Sequence, residues 1–266
     1  MSEAGQARLA GWLAAQRRGT DTRVIGINGA QGSGKSTLAA ELRELLAERH
    51  GLNTLVLSID DLYLTRAQRE RLAREVHPLL RTRGVPGTHD VELGLNLLHD
   101  LRSPGAAALR IPNFVKAIDD RAPEAEWTPV SSPVDLVLFE GWCVGTPPQA
   151  DAALAEPVNA LERGEDSDGV WRRYVNAQLA TRYALLFKRI DRMIFLQAPD
   201  FDSIFRWRLE QEEKNAAAAG DASSSQLMGP GPLRRFIQHY ERLTRHALAV
   251  VPQRAEVVIE LGAEHQ

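Results

Sequence analysis

Residues 29–36 read Gly29-Ala30-Gln31-Gly32-Ser33-Gly34-Lys35-Ser36 and match the pattern G-x-x-x-x-G-K-[ST] at every fixed position. Residues 23–28 before this stretch predict a buried strand, and residues 37–49 after it have helical periodicity. A glycine-rich loop between a strand and a helix turns backbone N–H groups towards phosphates, and the helix N-terminus adds partial positive charge. The stretch therefore predicts a nucleoside triphosphate site, in preference to an ordinary glycine-rich turn.

The polar side chains of this loop have separate predicted roles. Lys35 would reach the β- and γ-phosphates as a catalytic residue, and the Ser36 hydroxyl would bind Mg²⁺. ATP and Mg²⁺ are therefore the expected cofactors. The predicted nucleotide-binding residues are Gly29, Ala30, Gln31, Gly32, Ser33, Gly34, Lys35, Ser36 and Thr37.

Composition excludes several classes of function. The chain has 266 residues and a net charge of −3, which gives no general electrostatic reason to expect nucleic acid binding. No apolar run approaches the length of a membrane span, and the N-terminus lacks the apolar core of a signal peptide, so we expect no membrane association. Cys143 is the only cysteine, which excludes an intrachain disulfide and fits a cytoplasmic protein. The oligomeric state is unknown from the sequence.

Strand and helix patterns alternate along the chain. Strands are predicted at 23–28, 54–59, 109–112, 134–139, 192–196 and 256–260. Helices are predicted at 7–17, 37–49, 65–76, 91–101, 170–188, 202–214 and 233–250, with irregular segments at 116–133 and 145–168 and a mobile loop at 216–225. This order predicts the α/β fold of P-loop NTPases, a doubly wound, mostly parallel sheet with helices on both faces. We expect a single domain over 1–266, with an acceptor-binding insertion at about 62–132 and a lid at about 202–232.

Acidic residues follow two of the predicted strands. Asp60 and Asp61 end the second strand, and Glu140 follows the apolar run Val134–Phe139. Because ligands of parallel sheets bind at the carboxyl ends of strands, these carboxylates are expected near the phosphates. Asp60 could accept a hydroxyl proton or bind Mg²⁺, and Glu140 fits a Walker B acid that positions Mg²⁺. The competing interpretation of the two aspartates is a helix cap with a solvated neighbour.

Basic residues lie in loops where an acceptor pocket could form. Arg83, His89 and Asp90 belong to one turn-rich loop, and Lys116 and Arg121 belong to the next. Arginine and lysine there suit an anionic or polyhydroxy acceptor, although solvated loop charge and helix capping by Asp90 explain them equally well.

Further basic residues lie on the predicted helix 202–214. Arg206 and Arg208 could close over the γ-phosphate as catalytic residues, with Lys214 on the same helix. Ion pairs to Glu210, Glu212 and Glu213 are the alternative.

With these residues laid out, the chain resembles the P-loop kinases of small alcohols, the group of uridine kinase, phosphoribulokinase and pantothenate kinase. Ser58–Tyr63 (SIDDLY) is similar to their S-x-D-[SDG]-[FL]-[YHL] motif, whose Asp is Asp60 here. The resemblance to the D-glycerate 3-kinase family is closer. It rests on the stretches Gly29–Ser36, Ser58–Thr65 (SIDDLYLT), Arg83–Asp90 (RGVPGTHD), Ile111–Arg121, Phe139–Trp142 (FEGW) and Trp207–Glu212 (WRLEQE).

This resemblance implies transfer of the γ-phosphate of ATP to an alcohol, most directly D-glycerate, with Asp60 as general base. The implied substrate-binding residues are Asp61, Tyr63, Arg83, His89, Asp90, Lys116 and Arg121, and the implied metal-binding residues are Ser36, Asp60 and Glu140. The chain departs from the family pattern at Val115, where an acidic or polar residue is expected before Lys116. Two alternatives stay open: a P-loop kinase for a nucleoside, pantothenate or another sugar acid, and a nucleotide-binding module without catalysis.

Overall fold

The structure is a computed structural model that describes residues 1–17, 21–103, 109–219 and 230–262. The strands are β1 (Arg23–Gly29), β2 (Thr54–Ser58), β3 (Arg110–Ile111), β4 (Phe114–Val115), β5 (Asp120–Arg121), β6 (Thr128–Pro129), β7 (Leu136–Gly141), β8 (Arg192–Gln197) and β9 (Val257–Glu260). The helices are α1 (Glu3–Gln16), α2 (Lys35–His50), α3 (Arg66–Glu75), α4 (Val91–Asp100), α5 (Ala160–Glu165), α6 (Val170–Gln178), α7 (Ala184–Phe187), α8 (Phe201–Ala219) and α9 (Pro230–Val250).

Five strands form a parallel sheet in the order β2-β7-β1-β8-β9. β1 lies at its centre, between β7 and β8, so the loop that follows β1 opens at the middle of the sheet edge. β2 lies beyond β7, which brings the carboxyl ends of β2, β7 and β1 next to one another. The predicted α/β fold with a mostly parallel sheet is confirmed.

Apolar side chains alternate between the two faces of the sheet, as the pleat of a strand requires. In β7, Leu136 and Leu138 pack with one core cluster, and Val137 and Phe139 pack with the other. The first cluster is completed by α1 and α2, and the second by α4, α6, α7 and α9. Both faces are therefore covered by helices, and this burial is the main stabilising contribution.

Several local predictions are corrected by the structure. The Ala216–Ala219 run, predicted as part of a mobile loop, continues α8, in keeping with the high helix propensity of alanine. The rest of that loop, from residue 220 to 225, lies outside the described residues, as does most of the predicted lid beyond α8. The predicted helix 170–188 contains a π-helical turn, Leu179–Tyr183, between α6 and α7. Asp60 and Asp61 lie in a 3-10 turn, Ile59–Leu62, directly after β2.

Two segments predicted to be irregular contain short ordered elements. The segment 116–133 forms β5, which pairs with β4, and β6, which pairs with β3. The segment 145–168 contains a 3-10 turn, Asp151–Leu154, and α5. Among the described helices, the structure contains none that is long and apolar enough to cross a membrane.

Candidate active site

The glycine-rich loop connects β1 directly to α2. Gly34 precedes the helix with φ +82° and Gly32 has φ +78°, a left-handed conformation that residues with a Cβ rarely adopt. No side chain caps the N-terminus of α2, so N–H groups of its first turn remain for an anion. A Cβ on Gly29 would lie 2.9 Å from the Leu196 Cβ, so the loop needs glycine where it leaves the sheet.

Lys35 and Ser36 begin α2 and contact groups of the site. The Lys35 Nζ donates to the Ala30 carbonyl at 2.8 Å, and the Ser36 Oγ donates to Glu140 Oε1 at 2.9 Å. Burial lowers the pKa of Lys35, and the nearby carboxylates of Glu140 and Asp60 partly oppose this shift. The loop and the acid at the end of β7 therefore form one cluster.

The donor set of this cluster fits Mg²⁺. Glu140 is 5% exposed, and its carboxylate together with the Ser36 hydroxyl offers the hard oxygen ligands that this ion prefers. Among the described residues, no group of three or more His, Cys, Asp or Glu side chains could hold a metal by itself. A few protein oxygens completed by phosphates and water are the usual arrangement for Mg²⁺ in a nucleotide site. The roles of these residues stay predictions.

Asp60 accepts hydrogen bonds on both carboxylate oxygens. The Tyr63 hydroxyl donates to Oδ1 at 2.8 Å, and the Lys116 Nζ donates to Oδ2 at 3.0 Å. Burial by itself would raise the pKa of Asp60, but the charge and hydrogen bond of Lys116 and the bond from Tyr63 lower it on balance. Asp60 is therefore an ionised carboxylate at neutral pH.

The surroundings of Asp61 differ from those of Asp60. Its Oδ1 accepts a bond from the Phe114 backbone N–H at 3.4 Å, and burial raises its pKa to about 6. Asp61 does not line the cleft that contains Asp60, and its contact fixes the strand β4 instead.

Arg83 lines the cleft from the turn-rich loop. Its guanidinium pairs with Asp119 and lies 5.5 Å from the centre of the Phe114 ring. Asp119 also pairs with Arg69 at 3.0 Å, a residue that is 1% exposed. Asp119 therefore holds two arginines, and sequence reasoning did not single it out.

Two donors from other parts of the chain fix the loop at Arg83 and Gly84. The Tyr240 hydroxyl donates to the Arg83 carbonyl at 3.1 Å, and Trp142 Nε1 donates to the Gly84 carbonyl at 2.9 Å. A Cβ on Gly84 would lie 2.1 Å from the Tyr240 hydroxyl. Neither Tyr240 nor Trp142 was predicted as a site residue, although Trp142 belongs to the FEGW motif.

His89, Asp90 and Arg121 were predicted substrate contacts, but they do not line this cleft. His89 is buried, its Nδ1 lies 2.6 Å from the Tyr183 hydroxyl, and burial lowers its pKa to about 4. Asp90 caps α4 and pairs with Arg121 at 3.2 Å, as the capping interpretation predicted. Arg121 also donates to the Tyr63 carbonyl at 2.8 Å, so these residues support the loops behind the cleft.

The two predicted lid arginines have different surroundings. Arg208 lines the cleft, whereas Arg206 is exposed, donates to the Ser203 hydroxyl of its own helix and lines a separate groove between α8 and α9. Residues two apart on a helix point about 200° apart, so only one of them can face the cleft. The intervening Trp207 faces the glycine-rich loop, with its Cβ 3.4 Å from the position of a Cβ on Gly32.

These groups meet in one open cleft with about 900 Å³ of empty space, including its mouth. The lining residues are Gln31, Gly32, Lys35, Ser36, Ser58, Asp60, Tyr63, Arg83, Lys116, Glu140, Gly141, Trp142, Arg208, Phe236 and Tyr240. A phosphate-binding loop, an ionised carboxylate and several cations thus face the same space. Such a cleft can hold a nucleotide and a small anionic partner together.

Comparison with known proteins identifies relatives over most of the chain, although no family model matches the sequence. An uncharacterized kinase of Schizosaccharomyces pombe, mug58, is 33% identical over 226 residues, which is 82% of this chain and 78% of that protein. The chloroplastic D-glycerate 3-kinase of Arabidopsis thaliana is 31% identical over 71% of this chain. The match spans only 41% of the plant protein.

A solved structure agrees with these relatives. The D-glycerate 3-kinase from Cryptococcus neoformans superposes with a TM-score of 0.75 and 28% identity, covering 91% of this chain and 88% of that chain. The kinases among the relatives support the use of ATP and a small-molecule substrate. The chain is an ATP-dependent P-loop kinase and belongs to the D-glycerate 3-kinase-like family.

Proposed function

We propose that this kinase transfers the γ-phosphate of ATP to a hydroxyl of D-glycerate and forms 3-phosphoglycerate. The observation that carries this proposal is the cleft in which Asp60 lies beside Lys116, with Arg83 and the glycine-rich loop on the same surface. A carboxylate that can take a proton and two cations that can bind an anion suit an acceptor with both a hydroxyl and a carboxylate. The names of the plant and Cryptococcus relatives support the same acceptor.

The nucleotide half of the proposal uses the loop between β1 and α2. Its backbone N–H groups and Lys35 bind the phosphates and orient the γ-phosphate towards Asp60. Ser36 and Glu140 would hold Mg²⁺, with Asp60 as a further ligand candidate. The ion, when bound, neutralises charge on the phosphate oxygens.

The acceptor half uses residues from separate loops. Arg83 and Lys116 bind the carboxylate of glycerate, and Arg121 supports them by fixing the Tyr63 backbone. Asp60 accepts the proton of the attacking hydroxyl as its oxygen forms a bond to the γ-phosphorus and the bond to ADP breaks. Arg208 stabilises the charge of the transferred group.

The proposal is tested by measuring ADP release and phosphorylated product with ATP, Mg²⁺ and a panel of acceptors. We expect glycerate to be phosphorylated, and we expect the Lys35→Ala and Asp60→Asn variants to lose at least about 100-fold in kcat. Asp151→Asn, an exposed position outside the cleft, is the charge-matched control and should keep full activity. Full activity of Asp60→Asn would refute its role as the base.

Two further outcomes separate the alternatives. Transfer to a nucleoside, pantothenate or another sugar acid, with none to glycerate, would replace the acceptor and keep the kinase. ATP binding without transfer to any acceptor would favour a non-catalytic module.

Arg208→Ala and Arg206→Ala form a matched pair of variants on α8. We expect Arg208→Ala to lower kcat by at least about tenfold. We expect Arg206→Ala to change kcat little, because Arg206 lies outside the cleft.

A further inference from the structure

The ion pair between Lys116 and Asp60 occupies the group that must receive the acceptor proton. Lys116 holds Asp60 Oδ2 at 3.0 Å while the Tyr63 hydroxyl holds Oδ1 at 2.8 Å. Both oxygens thus already accept hydrogen bonds, and the positive charge of Lys116 offsets the negative charge of the carboxylate. In this arrangement Asp60 attracts the proton of an alcohol only weakly.

The two partners of Asp60 differ in exposure, because Lys116 lies at the surface and Tyr63 is buried. The Lys116 side chain is 63% exposed, and it follows β4 in the turn before β5, where Ala117 and Ile118 are also exposed. Tyr63 is 3% exposed and stacks on the His89 ring. Rotation about the bonds of the lysine side chain can therefore release Asp60 without a change in the backbone.

We propose that Lys116 makes an anionic group on the acceptor a requirement for transfer, because only an anion draws Lys116 from Asp60 and frees the base. This inference rests on the proposed kinase activity and adds how the acceptor class is selected. The carboxylate of glycerate would replace Asp60 as the partner of Lys116, so one ion pair forms as the other breaks. The preceding residue is Val115, which brings no carboxylate to compete for the lysine.

A neutral alcohol gives Lys116 no such replacement. Releasing Asp60 from Lys116 then breaks one ion pair and forms no new one, so most bound molecules of the neutral alcohol do not react. Water is likewise a poor acceptor in this state, which limits hydrolysis of ATP when the cleft holds no acceptor. On transfer, the acceptor oxygen bonds to the γ-phosphorus, the bond to ADP breaks, and the proton passes to the freed Asp60.

The test compares glycerate with glycerol, which replaces the carboxylate by a neutral CH₂OH group. Wild type, Lys116→Met and the control Lys188→Met, which removes the same charge at an exposed site outside the cleft, are measured with each acceptor and with ATP alone. In Lys116→Met we expect kcat/KM for glycerate to fall at least about tenfold, while transfer to glycerol and hydrolysis of ATP rise several-fold. Lys188→Met should match wild type.

Other outcomes overturn the inference. If glycerate transfer falls while glycerol transfer and ATP hydrolysis stay at wild-type levels, Lys116 only binds the carboxylate and does not restrain the base. If all three rates fall together, its role is structural. Should the wild type fail to phosphorylate glycerate, the proposed acceptor is wrong, but the rise in acceptor-free hydrolysis still decides whether Lys116 restrains Asp60.

Discussion

Asp119 offers a specific test of how the side of the cleft that contains Arg83 is built. Its carboxylate joins the buried Arg69, at 3.0 Å, to Arg83 in the cleft. Asp119 is the one non-glycine residue among those described with a positive φ, at +55°. Asparagine tolerates this backbone conformation as well as aspartate does, so Asp119→Asn removes the charge without adding backbone strain.

The expected loss of stability follows from the partners of Arg69. Its guanidinium also donates to the carbonyls of Leu64, Arg81 and Asp119, so it keeps three backbone acceptors in the variant. A hydrogen bond to a charged group contributes about 1.5–3 kcal/mol, of which a neutral amide oxygen retains about half. The Asp119 side chain is 39% exposed, and solvent weakens the interaction further. We expect the free energy of unfolding to fall by about 0.5–1.5 kcal/mol.

Urea denaturation measures this loss, and steady-state kinetics measure its effect on the site. Because Arg83 loses the partner that orients it, we expect KM for glycerate to rise about three- to tenfold and KM for ATP to stay unchanged. Asp120→Asn is the control: it removes the same charge one residue later, where the carboxylate accepts backbone bonds from Arg66 and Arg121. Equal stability and equal glycerate KM in the two variants would refute the reasoning, as would an equal rise in KM for both substrates.

Two more perturbations test other parts of the structure. Glu162→Gln leaves the buried Arg242 without its carboxylate and should lower the free energy of unfolding, measured by thermal denaturation, by about 3 kcal/mol. The control Glu165→Gln removes a charge from an exposed ion pair and should change this free energy by less than about 1 kcal/mol. Similar losses in both variants would contradict a stabilising role of the buried pair. Burial raises the pKa of Asp61 from 3.8 to about 6, so the folded state loses stability as pH rises from about 4 to above 6. Asp61→Asn keeps an acceptor for the Phe114 N–H. The variant should be more stable than wild type by about 1–3 kcal/mol at pH 7 and equally stable near pH 4. The same stability difference at both pH values would show that ionisation of Asp61 does not cause it.

The nucleotide half of the cleft could be predicted because its geometry is local. The glycine-rich loop carries its own strand and helix, and an acid that ends a parallel strand must lie at the same edge of the sheet as that loop. Asp60 and Glu140 were found in this way, and both line the cleft. The structure adds the hydrogen bond between Ser36 and Glu140, which joins residues 104 apart in the chain.

The side of the cleft proposed to bind the acceptor depends on contacts that no local pattern contains. His89 is polar in the sequence, but it lies in the core, where its Nδ1 pairs with the hydroxyl of Tyr183, a residue 94 positions away in the chain. The helical period predicts that Arg206 and Arg208 point in different directions. Which of them faces the cleft depends on the packing of Trp207 on the glycine-rich loop. Of the predicted acceptor residues in the RGVPGTHD segment, Arg83 lines the cleft, whereas His89 and Asp90 lie behind it.

The segment 145–168 had no predicted role, and in the structure its ion pair with α9 holds that helix in place. Its Glu162 holds Arg242 of α9, and two residues earlier on the same helix Tyr240 donates to the Arg83 carbonyl in the cleft. Residues two apart on a helix point to nearly opposite sides, so α9 is fixed by α5 on one side and fixes the loop at Arg83 on the other. Glu162→Gln should therefore raise KM for the acceptor by displacing the loop at Arg83, under conditions in which the variant is still folded.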